Sequence, residues 1–215
     1  MTKPATGLSF IHRFEPGGDR DIPPLLLLHG TGGDENDLIN LGHMVAPEAS
    51  LLSPRGKVLE GGMPRFFRRL AEGIFDEDDV KRRANELADF VQEARNAYGL
   101  TAPIALGFSN GANIAAATLL LRPEALAGAV LIRAMVPLSQ PPVADLAGKP
   151  VLILSGSMDS MVSADNAGQL ATQLGNAGAQ VQHRTLPAGH GLSQADVALA
   201  REFLGHAAGA IVSAA

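Results

Sequence analysis

The segment Gly107-Phe108-Ser109-Asn110-Gly111 fits the pattern G-x-S-x-G and stands between an apolar run, IALGF, and an alanine-rich one, ANIAAATLLL. A serine on a tight turn from strand to helix is pushed above the sheet with its hydroxyl exposed. The flanking glycines let strand and helix approach each other. The chemistry such a residue performs is nucleophilic acyl transfer. The plainer reading is that Ser109 only caps the helix, because serine favours helix starts.

A serine hydroxyl needs a base within hydrogen-bonding reach, and that base needs an orienting carboxylate. Of the six histidines, His190 in Leu186-Pro187-Ala188-Gly189-His190-Gly191 falls after the last expected strand and before the final helix, at the same edge as Ser109. His12 and His183 lie within strands, and His43 and His206 within helices, so packing or surface roles suit them better. His29 ends a strand beside a glycine-rich loop and reads as a brace for it. For the acid, Asp159 follows the strand VLIL through Ser155-Gly156-Ser157-Met158, which puts the three residues in the order Ser, Asp, His of this chemistry. Asp165 is the rival for the acid, while Asp145 precedes its strand and belongs to the opposite edge.

Charge on a reacting carbonyl oxygen needs fixed donors. The backbone N–H groups of Asn110, opening the helix after the serine, and of Thr31, in His29-Gly30-Thr31-Gly32-Gly33-Asp34, are the candidates. A phosphate-cradling loop is the competing use of those glycines, but no lysine follows at P-loop spacing. For a substrate pocket, Met63, Phe66, Phe67 and Phe75 cluster with Pro64 in one segment of a chain that has eight phenylalanines in all. They either wall an acyl or aromatic pocket or pack beneath their own loop. Arg133 and Met135 follow the strand AVLI at the same edge. Arg133 would bind a substrate carboxylate or, the preferred reading, tie down the acidic stretch Asp76 to Asp79.

The elements that must position these residues alternate. Strands are expected at Leu8 to Phe14, Leu25 to Leu28, Ala49 to Ser53, Ile104 to Phe108, Ala129 to Ile132, Val151 to Leu154 and about Gln180 to Thr185. Helices are expected at Leu38 to Pro47, from Val80 to Gly99 at helical apolar spacing, at Asn110 to Leu121, at Ala164 to Asn176 and from about Ser193. Residues Lys57 to Asp79 read as a long irregular surface excursion with no room for a large helical lid. The sum is an α/β fold, a mostly parallel sheet of about seven strands with helices on both faces, whose chemistry lies at the carboxyl ends of the strands.

The 215 residues are enough for a single domain, 1–215, and too few for two large ones. With 46% hydrophobic and 18% charged residues the chain is neither disordered nor disulfide-stapled. Its net charge of −5 and scattered basic residues argue against nucleic acid as a partner. Without cysteine, thiolate catalysis and cysteine-ligated metals are excluded. The start, MTKPATGLSFIHRF, has no leader pattern and no stretch reaches the ~18 apolar residues of a membrane span, so a soluble, cytoplasmic protein is expected.

Beyond these derivations, HGTGGDENDL, SPRGKVLEGGMPRFFRR, GFSNGANIAA, LIRAMVP, LILSGSMD and PAGHGLS span most of the chain. On these segments it resembles the small carboxylesterase, phospholipase and thioesterase family of the α/β-hydrolase fold, and within it the bacterial branch related to hydroquinone-inducible hydrolases. The resemblance implies Ser109, Asp159 and His190 as the triad and Thr31 and Asn110 as oxyanion donors. It also implies cofactor-free hydrolysis of short acyl esters, with several members pairing as homodimers; with the pocket reading, the expected substrates are small short-acyl or aromatic esters. Ser157 and Met158 depart from residues common in relatives, which bears on loop rigidity. A serine rather than a thiol nucleophile separates the chain from the dienelactone hydrolases. Thioesterase, lysophospholipase-like or amidase activity on the same triad is the alternative, and from another class a non-catalytic binding protein on this scaffold.

Overall fold

The structure, a computed structural model, describes residues 7–214; the first six residues of the segment read above for a leader lie outside that range. Strand β1 (His12–Glu15) opens the chain, followed by β2 (Leu25–Leu28), helix α1 (Ile39–Val45) and β3 (Leu51–Pro54). Short strands β4 (Val58–Glu60), β5 (Met63–Arg65), β6 (Arg69–Ala71) and β7 (Ile74–Phe75) come next. They precede helix α2 (Glu77–Tyr98), strand β8 (Ile104–Phe108) and helix α3 (Asn110–Leu121). The chain continues through β9 (Gly128–Ile132), β10 (Pro150–Gly156), α4 (Ala164–Asn176), β11 (Gln180–Leu186) and α5 (Gln194–Ala214).

Seven strands form one sheet in the order β1-β3-β2-β8-β9-β10-β11, parallel except for β1, which runs antiparallel to β3. This is an α/β-hydrolase-type fold. Four consecutive leucines can occupy β2 because both faces of the sheet are covered, as a parallel sheet requires. Leu26 and Leu28 enter a core built with α2, α3 and α4, while Leu25 and Leu27 enter a second core with α1 and α5. Strand periodicity thus divides one apolar run between two helical layers. Helix α3 is buried from Asn110 to Leu120, which is where a helix apolar on every side belongs.

Two expectations change. The first strand is shorter and later than Leu8 to Phe14, because register with β3 is reached only at His12, opposite Pro54. The stretch Lys57 to Asp79 is not irregular: it carries two hairpins, β4-β5 and β6-β7. Gly61 and Gly62 both have positive φ, 58° and 84°, and close the first hairpin as a tight two-residue loop demands. The acidic residues of FDEDD cap and open α2. Asp76 caps it by accepting from the Asp79 N–H at 3.2 Å, and Glu77, Asp78 and Asp79 sit in the first turn, where the helix dipole favours negative charge.

Candidate active site

The turn from β8 into α3 is made by close backbone approach. A Cβ on Gly107 would lie 2.6 Å from the Gly111 carbonyl oxygen, and one on Gly111 would lie 1.9 Å from that of Leu28. Only glycine fits at either place. Between them Ser109 is forced to φ 51° and ψ −114°, a strained conformation for a residue with a side chain, and its N–H donates to the Ile132 carbonyl at 2.8 Å. Its hydroxyl makes no capping bond to the helix, so the capping reading does not describe this serine.

His190 sits in the loop that carries the chain from β11 to α5. Its Nε2 is 2.9 Å from Ser109 Oγ and its Nδ1 2.9 Å from Asp159 Oδ2. The Asp159 side chain is fully buried, and its Oδ1 accepts from the N–H groups of Met161 at 2.8 Å and Val162 at 3.0 Å. Burial pushes the carboxyl upward. Those two N–H donors and the imidazole outweigh it, so Asp159 titrates below the ordinary 3.8. Among the rivals, Asp165 lies in the first turn of α4, and Asp145 accepts from the Ala147 N–H in an exposed turn. The arrangement brings a hydroxyl, an imidazole acceptor and a buried carboxylate into one line of hydrogen bonds, which permits a proton to leave the serine as it attacks.

Among the described residues, neither the Thr31 nor the Asn110 backbone N–H donates to a protein acceptor. Both belong to residues lining a small cavity of about 40 Å³ that also touches Ser109 and His190. The first hairpin braces both. Arg65 donates to Thr31 Oγ1 at 2.8 Å, the Gly32 N–H to the Pro64 carbonyl at 3.0 Å, and the Phe66 N–H to Asn110 Oδ1 at 2.7 Å. His29 braces the glycine loop, donating from Nδ1 to the Gly30 carbonyl and accepting the Gly56 N–H at Nε2. A groove of about 1350 Å³ between α1 and α5 is far larger, yet none of Ser109, Asp159 and His190 borders it.

The pocket residues divide. Phe75 and Met135 line the cavity. Phe66 and Phe67 do not: they are 2% and 0% exposed and belong to the core, Phe66 against the His29 ring and Phe67 edge-on to Phe75 at 4.9 Å. Met63 is largely exposed beside Gly32. Phe67→Ala is therefore expected to cost about 3–5 kcal/mol of stability in urea denaturation, with KM for a small ester little changed. A large rise in KM at intact stability would return Phe67 to the pocket.

Arg133 borders the cavity and does not tie down the stretch Asp76 to Asp79. It is fully buried and paired with Asp196, at 2.8 and 2.9 Å. The acidic stretch is held instead by Arg68 and Arg82. Sequence reasoning missed Arg65, Arg69, Asn113, Met161 and Val162 as cavity residues. For Arg65 a signal existed, the Gly61-Gly62 hairpin turn; for Met161 and Val162 there was only their place after Asp159.

Titration should show in stability. Burial pushes the imidazoles of His29 and His183 below the ordinary 6.5, in His29 against the pull of the Gly30 carbonyl. Such groups take up protons less readily folded than unfolded, so the stability of their neutral forms is complete above 6.5 and is lost as pH falls below it. Asp76 is held down by Arg68. In Asp79 burial is outweighed by Arg82 and the Arg68 N–H, so it also lies below 3.8, like Asp159. Their contribution is present above that value and lost as pH falls further. Urea midpoints from pH 8 to 3 should fall in two stages, one below about 6.5 and one below about 4. The double substitution His29→Gln/His183→Gln should flatten the first stage, and a midpoint already flat between pH 7 and 5 in the parent would contradict this account.

The sequence profile of the phospholipase/carboxylesterase family matches residues 12–207. The chain belongs to that family. This family member is 44% identical to MhqD of Bacillus subtilis (strain 168) over 194 residues, 89% of this chain and 96% of MhqD. A carboxylesterase of Bacillus cereus superposes on it with a TM-score of 0.91 at 47% identity, covering 94% of this chain and 96% of the other. A carboxylesterase from Mesorhizobium loti does so with a TM-score of 0.88 at 34% identity, covering 93% and 96%. The family member is thus a hydrolase of carboxylesterase/phospholipase type. Among the described residues no helix is long and apolar enough to cross a membrane.

Proposed function

We propose that this chain is a serine carboxylesterase acting on small carboxylic esters with short or aromatic acyl groups. The observation that carries the reading is the continuous hydrogen-bonded line from Ser109 Oγ to His190 Nε2 and from His190 Nδ1 to Asp159 Oδ2, 2.9 Å at each step, starting from a strained elbow. Ser109 Oγ attacks the ester carbonyl as His190 Nε2 takes its proton. The carbonyl oxygen becomes an oxyanion facing the Thr31 and Asn110 N–H groups. The C–O bond to the alcohol breaks, and the alcohol leaves with the proton from His190. Water then attacks the acyl-Ser109 ester, giving its proton to His190, and the acid departs as Ser109 regains it. Asp159 holds the imidazole with Nδ1–H toward itself and offsets the charge His190 carries between the two transfers.

The small cavity beside Ser109 favours a short acyl group. Its walls combine Phe75, Met135 and Val162 with the polar groups of Arg65 and Asn113. The test is intact mass after treatment with a small fluorophosphonate, followed by a series of nitrophenyl esters of increasing acyl length. A single adduct on the parent, none on Ser109→Ala, and kcat/KM falling beyond short acyl chains are expected. No adduct on folded parent, with access checked by a second, smaller reagent, would favour a binding protein. Matched thioesters and amides in the same assay separate esterase from thioesterase or amidase.

A further inference from the structure

We propose that Arg133 and Asp196 are a buried positioning pair that holds the His190 loop in register with Ser109 and Asp159, so that the end of β9 ties together all three catalytic segments. The inference rests on the triad reading above.

Arg133 has five N–H donors, and every one of them has a protein acceptor. Nη1 and Nη2 grip the two oxygens of Asp196 at 2.8 and 2.9 Å. Nε donates to the Gly189 carbonyl at 2.8 Å and Nη2 to that of Gly191 at 3.2 Å, the carbonyls on either side of His190. Nη1 also donates to the Leu154 carbonyl at 3.2 Å. Asp196, in the first turn of α5, receives in addition the Ser193 N–H at 2.8 Å and hydroxyl at 2.7 Å. The base therefore stands in a loop flanked by two glycines whose carbonyls are fastened to one guanidinium.

The backbone at the same point reaches the other two catalytic segments. The Ile132 carbonyl accepts the Ser109 N–H at 2.8 Å, and the Arg133 N–H donates at 2.8 Å to Leu154, in the strand that leads to Asp159. Arg133 adopts φ 56°, a left-handed conformation that costs a residue with a side chain. Both charged side chains are 0% exposed. Stability alone explains such a pair poorly, since an apolar pair of equal volume often replaces a buried ion pair without loss. What an apolar pair cannot supply is a set of directional donors to the two carbonyls beside His190. Lysine cannot supply it either, because its three donors radiate from a single nitrogen.

Arg133→Met alone would strand a buried carboxylate, so the decisive variant is the double substitution Arg133→Met/Asp196→Leu, with Arg133→Lys as the second. The double variant is expected to fold, by circular dichroism and thermal melting, with kcat on a short ester reduced about 10²-fold and KM little changed. A strongly deshielded proton NMR signal is expected from the His190 Nδ1–H of the parent and should broaden or vanish in the double variant. Arg133→Lys should keep the fold and fail to restore kcat. Parental kcat and an intact Nδ1–H signal in the folded double variant overturn the proposal; if that variant does not fold, parental kcat in Arg133→Lys does so. Ser109→Ala in the same assay separates the two levels. If it stays active, the triad reading fails; if it is silent while the pair variants match the parent, only the positioning role fails.

Discussion

Ser109→Ala is expected to lower kcat toward small esters by about 10⁶-fold while leaving the fold in place, with turnover measured on protein shown to be free of contaminating esterase. The size follows from what alanine removes. His190 keeps its hydrogen bond to Asp159 and the Thr31 and Asn110 N–H groups keep their places, but no nucleophile remains to form the acyl intermediate. Residual catalysis then comes from binding and the oxyanion donors alone. The stability effect should be small. Alanine has the same Cβ at φ 51° as serine, the hydroxyl caps nothing, and only the bond to His190 Nε2 is lost, worth about 0.5–1.5 kcal/mol. A helix-capping serine would behave in the opposite way, costing helix stability and leaving turnover unchanged. Activity near the parent's in Ser109→Ala would therefore end the assignment of the nucleophile.

Gly111→Ala should be the most damaging substitution for folding, at about 4 kcal/mol or more. Intrinsic helix propensity argues the other way, because alanine in a helix is better than glycine by about 0.8–1.0 kcal/mol. Packing decides the sign. The new methyl would meet the Leu28 oxygen at 1.9 Å, the Leu28 carbonyl carbon at 2.4 Å and the His29 oxygen at 2.6 Å, all backbone atoms of the central strand and the residue after it. Helix α3 is enclosed on every side and has nowhere to retreat. Retreat would in any case pull the Asn110 N–H away from the Thr31 side of the cavity. Urea denaturation of purified protein, or its failure to accumulate in soluble form, measures the effect. A variant as stable as the parent would mean that α3 does not approach β2 as described.

These two expectations also mark what could be read before any coordinates. That Ser109, Asp159 and His190 would meet was legible because each follows a strand, IALGF, VLIL and the one before PAGHG, and a parallel sheet sends the carboxyl ends of its strands to one edge. The order and type of the main elements were legible because their apolar spacing reports burial directly. Segment 57–79 was harder. Its strands are two or three residues long, too short to show a period, and its hairpin signal lay in a single Gly-Gly pair.

Side-chain destinations were the other gap. Phe66 and Phe67 have the composition of a pocket wall and the position of core, and no local pattern distinguishes the two, because both environments select large apolar groups. Arg133 shows the same limit for charge. Its nearest acidic cluster in expectation was Asp76 to Asp79, while its partner lies 63 residues downstream on a helix that returns over the sheet. By itself the sequence determined which residues the proposed chemistry would use and which elements bring them to one edge, since periodicity and turn chemistry act over a few residues. Tertiary structure alone decided what surrounds them: the hairpin that braces Thr31 and Asn110, the buried phenylalanines, and the guanidinium that fastens the histidine loop. Those contacts join residues distant in the chain, and their partners are chosen by packing and hydrogen-bond satisfaction once the sheet has assembled.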